Sequence, residues 1–168
     1  PLVNNASSIT IAGDCTAGFS VVLSGADSQT VTCSAGGTYS FTSSKSSDAT
    51  YNYSVIQKDL ALNSSAPATQ AWTRDTAAPS APVIDASILA TSYTQSNSIT
   101  LTGDCEADAT VLAFIDGAAT PAATGSCGSA TSRYSISLTA ASEGMVSLIL
   151  RQMDTAENVL SDSRSITW

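Results

Sequence analysis

Apolar and polar residues alternate with period two along most of the chain. Ile9 and Ile11 open the pattern, followed by Phe19, Val21 and Leu23, then Tyr39 and Phe41, then Tyr51, Tyr53 and Val55. It returns in Ile99 and Leu101, in Val111, Ala113 and Ile115, in Tyr134, Ile136 and Leu138, and in Val146, Leu148 and Leu150. Successive side chains on a strand point to opposite faces, so this alternation predicts half-buried antiparallel strands. Turn-type runs separate them: SGADS (Ser24–Ser28), AGG (Ala35–Gly37) and DGAA (Asp116–Ala119). No convincing amphipathic helical period is present.

The alternation is written twice. SITIAGDC (Ser8–Cys15) comes back 90 residues later as SITLTGDC (Ser98–Cys105). GTYSF (Gly37–Phe41) answers SRYSI (Ser132–Ile136), Asp59 answers Asp154, Asn63 answers Asn158, and Trp72 answers Trp168. The offset grows to 94 between the second cysteines and to 95 or 96 later, which places the insertions of the second copy mainly between Cys105 and Tyr134. A repeat this long suits a complete small β domain better than a solenoid unit. The expected class is all-β, as two tandem immunoglobulin-like β-sandwich domains spanning residues 1–76 and 77–168. TRDTAAPSAP (Thr73–Pro82), with Pro79 and Pro82, should form a short, stiff linker between them.

Domains of this size bury only about 60–65% of their unfolded surface and often need a covalent staple. Each copy has one cysteine pair, and the chain has no histidine and no CxxC, which disfavours zinc and thiol chemistry. Symmetry between the copies favours pairing Cys15 with Cys33 and Cys105 with Cys127. Such bonds persist outside the reducing cytosol, so an exported, secreted or surface-exposed protein is expected. No signal peptide or membrane-spanning run is evident, as expected of a mature form or a piece of a longer exported chain. The net charge of −8, with only six Lys and Arg, makes nucleic acid or an anionic membrane surface a poor partner. Residues 1–78 hold five acids and three bases, and residues 79–168 hold nine acids and three bases, so acidity is concentrated in the second copy.

In sequence the chain resembles the bacterial immunoglobulin-like (Big-type) tandem repeats of large surface and secreted adhesins. The resemblance rests on the ITLTGDC-type strand, the YSF-type strand, the linker DTAAP (Asp75–Pro79), and a long strand ending in aspartate with asparagine four residues on. It covers nearly the whole chain. Where the family typically reads TDAAGN, this chain reads KDLALN (Lys58–Asn63) and MDTAEN (Met153–Asn158), so the glycine is absent from both copies. The cysteines also depart from the antibody pattern, in which a disulfide joins strands B and F. Here the bond should join the end of the second strand to a segment after the next hairpin, at one end of each sandwich.

An enzyme is not expected, because the serines and threonines have no histidine base and the acids fall mostly in turns. Tyr39, Tyr53 and Tyr134 occupy core-type positions rather than forming a sugar platform. The most concrete candidate is a cation site at the loop end of the second copy. Asp75, Glu106, Asp108, Asp154 and Asn158, with Glu157 nearby, bring hard oxygen ligands from linker and turns, the type calcium takes. Calcium-stiffened linkers are also what the resemblance implies. The same residues are equally ordinary turn formers that bond their own backbone, so both readings stand. The first copy has Thr16, Ala17 and Gly18 in the corresponding turn, without an acid. Otherwise no cofactor is required. The N-x-S/T triplets at Asn5, Asn52 and Asn63 carry no weight in a serine-rich chain, and Lys58, a candidate for an isopeptide bond, is replaced by Met153 in the second copy.

Three functions follow as expectations. The first is a non-catalytic stalk or spacer in a cell-surface or secreted adhesin, whose partners are neighbouring repeats of the same chain. The second is a recognition module for a glycan or protein on another cell, centred on the stretch Gly117–Arg133. The third is an accessory domain pair of an extracellular hydrolase. None requires membrane insertion, and an isolated fragment is expected to be monomeric.

Overall fold

The computed structural model describes residues 2–88, 96–139, 144–159 and 164–167. These residues form thirteen strands and no helix, and the chain divides into two compact units, Pro1–Thr76 and Ala77–Trp168. Trp168, the expected counterpart of Trp72, lies outside the described residues.

The first unit contains β1 (Leu2–Asn4), β2 (Ser8–Asp14), β3 (Ser20–Gly25), β4 (Gln29–Thr32), β5 (Thr38–Ser44), β6 (Ala49–Lys58) and β7 (Ala68–Arg74). One sheet has the order β1-β7-β6-β3-β4, with β1 parallel to β7, and the other is the pair β2-β5. Ile9, Ile11 and Phe41 from the small sheet meet Val21, Leu23, Tyr53, Val55 and Trp72 from the large one in a single core. The alternation read in the sequence is therefore the inner face of a sandwich. Ser43 occupies a core position and is fully buried, but its hydroxyl oxygen accepts a hydrogen bond from the Tyr53 hydroxyl at 3.1 Å. A buried polar group is tolerated when paired in this way.

The second unit contains β8 (Ser98–Asp104), β9 (Thr110–Ile115), β10 (Ala123–Ser126), β11 (Arg133–Thr139), β12 (Ser147–Met153) and β13 (Arg164–Thr167). Its sheets are β10-β9-β12-β13 and β11-β8. Leu101, Ile136 and Leu138 pack on Val111, Ala113, Leu148 and Leu150. The strand registers match: Ile11 faces Phe41 as Leu101 faces Ile136, and Val21 faces Gln57 as Val111 faces Gln152. Three residues, Ala26–Ser28, join β3 to β4, whereas seven, Asp116–Ala122, join β9 to β10. The four extra residues raise the repeat offset from 90 to 94. Gly117–Arg133 is thus not simply an inserted loop, because it contains β10 and Cys127.

The chain enters the two units differently. β1 runs beside β7, but in the second unit Val83 and Asp85 donate their backbone N–H groups to Asp104 and Thr102 on β8. The glycine of each GDC motif reflects this. A Cβ on Gly103 would lie 1.8 Å from the Val83 carbonyl oxygen, so only glycine lets the incoming backbone approach. On Gly13 it would meet the Tyr39 hydroxyl oxygen at 2.9 Å, a side-chain atom and not backbone.

Candidate functional site

Both disulfides close at the loop end of their unit. Cys15, just after β2, bonds to Cys33, just after β4; Cys105, after β8, bonds to Cys127, after β10; the Cα atoms are 5.9 Å apart in each. Each bond ties the two-stranded sheet to the larger one. The turn that follows the first cysteine is held by a glutamine from the long strand. Gln57 Oε1 accepts from the Thr16 backbone N–H at 2.6 Å, and Gln152 Oε1 accepts from that of Glu106 at 2.9 Å. Sequence reading missed this pair, although Gln57 and Gln152 share the 95-residue offset of Asp59 and Asp154.

Beyond the glutamine, both units build the same aspartate-centred loop. Asp59 Oδ1 accepts from the Ala61 and Asn63 backbone N–H groups, and Oδ2 accepts from Asn63 Nδ2, each at 2.9 Å. Asp154 does the same with Ala156 and Asn158 at 2.8 to 2.9 Å. Hydrogen bonds from the Asn63 side chain and backbone hold the Asp59 carboxyl below its usual range. The position where the resembled repeats carry a glycine falls within this loop. Leu62 and Glu157, the residues immediately before each asparagine, have φ of 69° and 66°. The loop keeps the left-handed conformation that glycine favours, and the five loop hydrogen bonds around each aspartate offset the steric cost of a side chain there. Leu62→Gly is accordingly expected to stabilise the first unit by about 0.5–1 kcal/mol in urea unfolding. A loss of stability would mean that the Leu62 side chain contributes more than its exposure suggests.

The residues expected around calcium fall as follows. Asp75 belongs to the first unit, and the other four belong to the second. Asp154 and Asn158 come together, in the loop just described. Glu106 and Asp108 sit on the exposed β8–β9 turn. Among the described residues no group of three or more His, Cys, Asp or Glu side chains is placed to hold a metal ion.

The loop end of the second unit also holds the chain that leads into it. Asn158 Nδ2 donates to the Ala77 carbonyl at 3.3 Å, and Gln152 Nε2 donates to that of Ser80 at 3.0 Å. Further along, Arg133 pairs with Asp85 at 2.5 Å and with Asp104 at 2.8 Å, while Thr102 Oγ1 donates to Asp85. The Arg133 hydrogen bond, then that from Thr102, lowers the Asp85 carboxyl below its usual range. Tyr134 donates its hydroxyl to the Val83 carbonyl at 3.0 Å, and burial pushes that phenol up to about 12. In the first unit, Asp48 accepts from the Thr76 N–H at 2.9 Å and from its hydroxyl at 2.8 Å, and also pairs with Arg74. The Thr76 bonds are the main cause of the lowered Asp48 pKa.

No protein-family model and no curated protein matches the chain. Among solved structures it is similar to the fibronectin(III)-like modules of Clostridium thermocellum CbhA, with a TM-score of 0.58 and 14% identity over 99% of this chain and 86% of that one. At that identity the likeness concerns the fold, an immunoglobulin-like β-sandwich architecture. The disulfides and this fold are consistent with an extracellular domain.

Proposed function

We propose that the chain is a non-catalytic pair of tandem immunoglobulin-like sandwiches serving as a stiff spacer in a bacterial surface or secreted adhesin. The observation that carries this reading is the hydrogen bonding of the connection. Thr76 is bound by Asp48 of its own unit, and the next residue, Ala77, is bound by Asn158 of the second unit. Pro79 and Pro82 restrict what lies beyond. Each end of the connection is thus bound within its own unit, which supports the spacer reading. The adhesin context is supported by the sequence resemblance at DTAAP and at the strand-end aspartates.

Amide hydrogen exchange tests the connection. The Thr76 amide should be protected in the native chain, and Asp48→Ala should release it. An unprotected Thr76 amide in the parent would overturn the reading. In this reading the aspartate loop serves as a hydrogen-bonded turn, with Asp154 Oδ1 accepting from two backbone N–H groups and Oδ2 from the Asn158 amide. The thermal midpoint is therefore expected to be the same in calcium and in chelator. A rise of several degrees with calcium would restore Asp75, Glu106, Asp108, Asp154 and Asn158 as a ligand set.

A recognition role is favoured by one feature, the seven-residue exposed turn Asp116–Ala122, which the first unit lacks. Saturable binding to target cells, abolished when that turn is replaced by Ala26–Ser28, would select recognition over spacing.

A further inference from the structure

The matched loop ends of the two units are covered to different extents. In the second unit Gln152, Ala156 and Asn158 are only 0, 1 and 9% exposed. The Gln152 and Asn158 amides donate to the backbone carbonyls of Ser80 and Ala77 in the segment Ala77–Ser80. In the first unit Gln57 is half-buried, with one Nε2 proton donated to Thr16 Oγ1 at 3.3 Å and a second left for a carbonyl, and Ala61 and Asn63 are exposed. The scaffold beneath is nevertheless the same, with the same aspartate bonds and the same left-handed residue before the asparagine. The surface is therefore formed without its covering segment. Asn63 Nδ2 donates to Asp59, and a primary amide nitrogen has a second proton. That proton is the counterpart of the one Asn158 gives to Ala77. Beside it, Leu60 and Leu62 are 87 and 76% exposed, where the second unit has Thr155 and Glu157.

We propose that the loop end of the first unit, formed by Gln57, Ala61 and Asn63 with Leu60 and Leu62 at its rim, is a seat for an extended peptide segment of the Ala77–Ser80 type. Its occupant is the connecting segment of a preceding module. Two backbone carbonyls accept from the Gln57 and Asn63 amides, while the leucines cover apolar surface of that module. The inference rests on the tandem-module reading.

The test extends the full chain ahead of Pro1 with the sequence of Asp75–Ala81 followed by a flexible Gly/Ser spacer, because β1 enters beside Trp72 on β7 whereas the second unit is entered along β8. Unfolding of the first unit is followed at the Trp72 indole proton by NMR. The expected result is a midpoint rise of about 4–8 °C, the shift that one hydrogen bond's worth of stability gives a domain this small. A Gly/Ser extension of equal length should give no rise, and the rise should vanish in an Asn63→Ala background. An equal rise in either control, or none with the native-type extension, overturns the seat. Concentration-dependent shifts of the Asn63 amide in the unextended chain would also overturn it, by showing a second copy as the occupant. Amide exchange at Thr76 in the unextended chain reads the connection within the first unit, so failure of the seat is distinguishable from failure of the spacer.

Discussion

Trp72→Ala is expected to cost the first unit about 3–5 kcal/mol, the range for removing a buried aromatic side chain. Trp72 is the largest fully buried side chain among the described residues and lies on β7, between β1 and β6. Its indole N–H donates to Asn4 Oδ1 at 2.9 Å, and its ring lies 5.6 Å from that of Tyr51. The substitution leaves a cavity between the sheets and removes the anchor of β1, a strand of only three residues. A unit of this length has a total stability of about 4–11 kcal/mol, so much of it would be lost. Trp72→Phe separates the two contributions. It keeps most of the apolar burial and removes only the indole donor from Asn4 Oδ1, which still accepts from the Ala6 backbone N–H at 3.2 Å, and should cost about 0.5–1.5 kcal/mol. Urea unfolding followed at first-unit amide signals measures both. A Trp72→Ala variant within 1 kcal/mol of the parent would show that the core does not depend on this residue.

Replacing either cysteine pair with alanine should destabilise its unit by about 3 kcal/mol, mainly by releasing the unfolded chain. The closed loops span 18 and 22 residues, so the chain-entropy difference between them is only about 0.2 kcal/mol. The two units should thus respond almost equally. The native state contributes a second reason. Among the described residues β2 pairs with β5 and β8 with β11 and with no other strand, and a two-stranded sheet is marginal alone. Each disulfide fastens that pair to the larger sheet at the loop end, opposite the strand ends that core packing must hold unaided. Reduction of the native protein should reproduce the loss seen in the alanine variants. If Cys15→Ala with Cys33→Ala retains stability within 1 kcal/mol in urea, the staple is dispensable.

Particular residues show how much of this was legible beforehand. The alternation at Ile9, Ile11, Val21, Leu23 and Phe41 marks the core face because β geometry sends every second side chain to the same side. The aspartate and asparagine of each loop stood out by their shared offset, yet their role was ambiguous between cation ligand and turn former. Composition cannot settle that, because the same oxygens serve either purpose. Their hydrogen bonds to Ala61, Asn63, Ala156 and Asn158 identify the loop geometry. Gln57 and Gln152 were passed over since glutamine on a strand has no fixed meaning. It gains one only when a turn some forty residues earlier in the chain comes within reach of its amide.

By itself the sequence determined the all-β class, the doubling, and which faces are apolar, because these follow from local periodicity and from repetition. Only the tertiary structure decided that Leu62 and Glu157 take up the glycine conformation, that Gly103 makes room for the Val83 backbone while Gly13 faces Tyr39, and that the same loop is covered in one unit and uncovered in the other. These features depend on which distant backbone arrives at a given residue. That information is carried by the path of the chain in space and not by the identity of the neighbours along it.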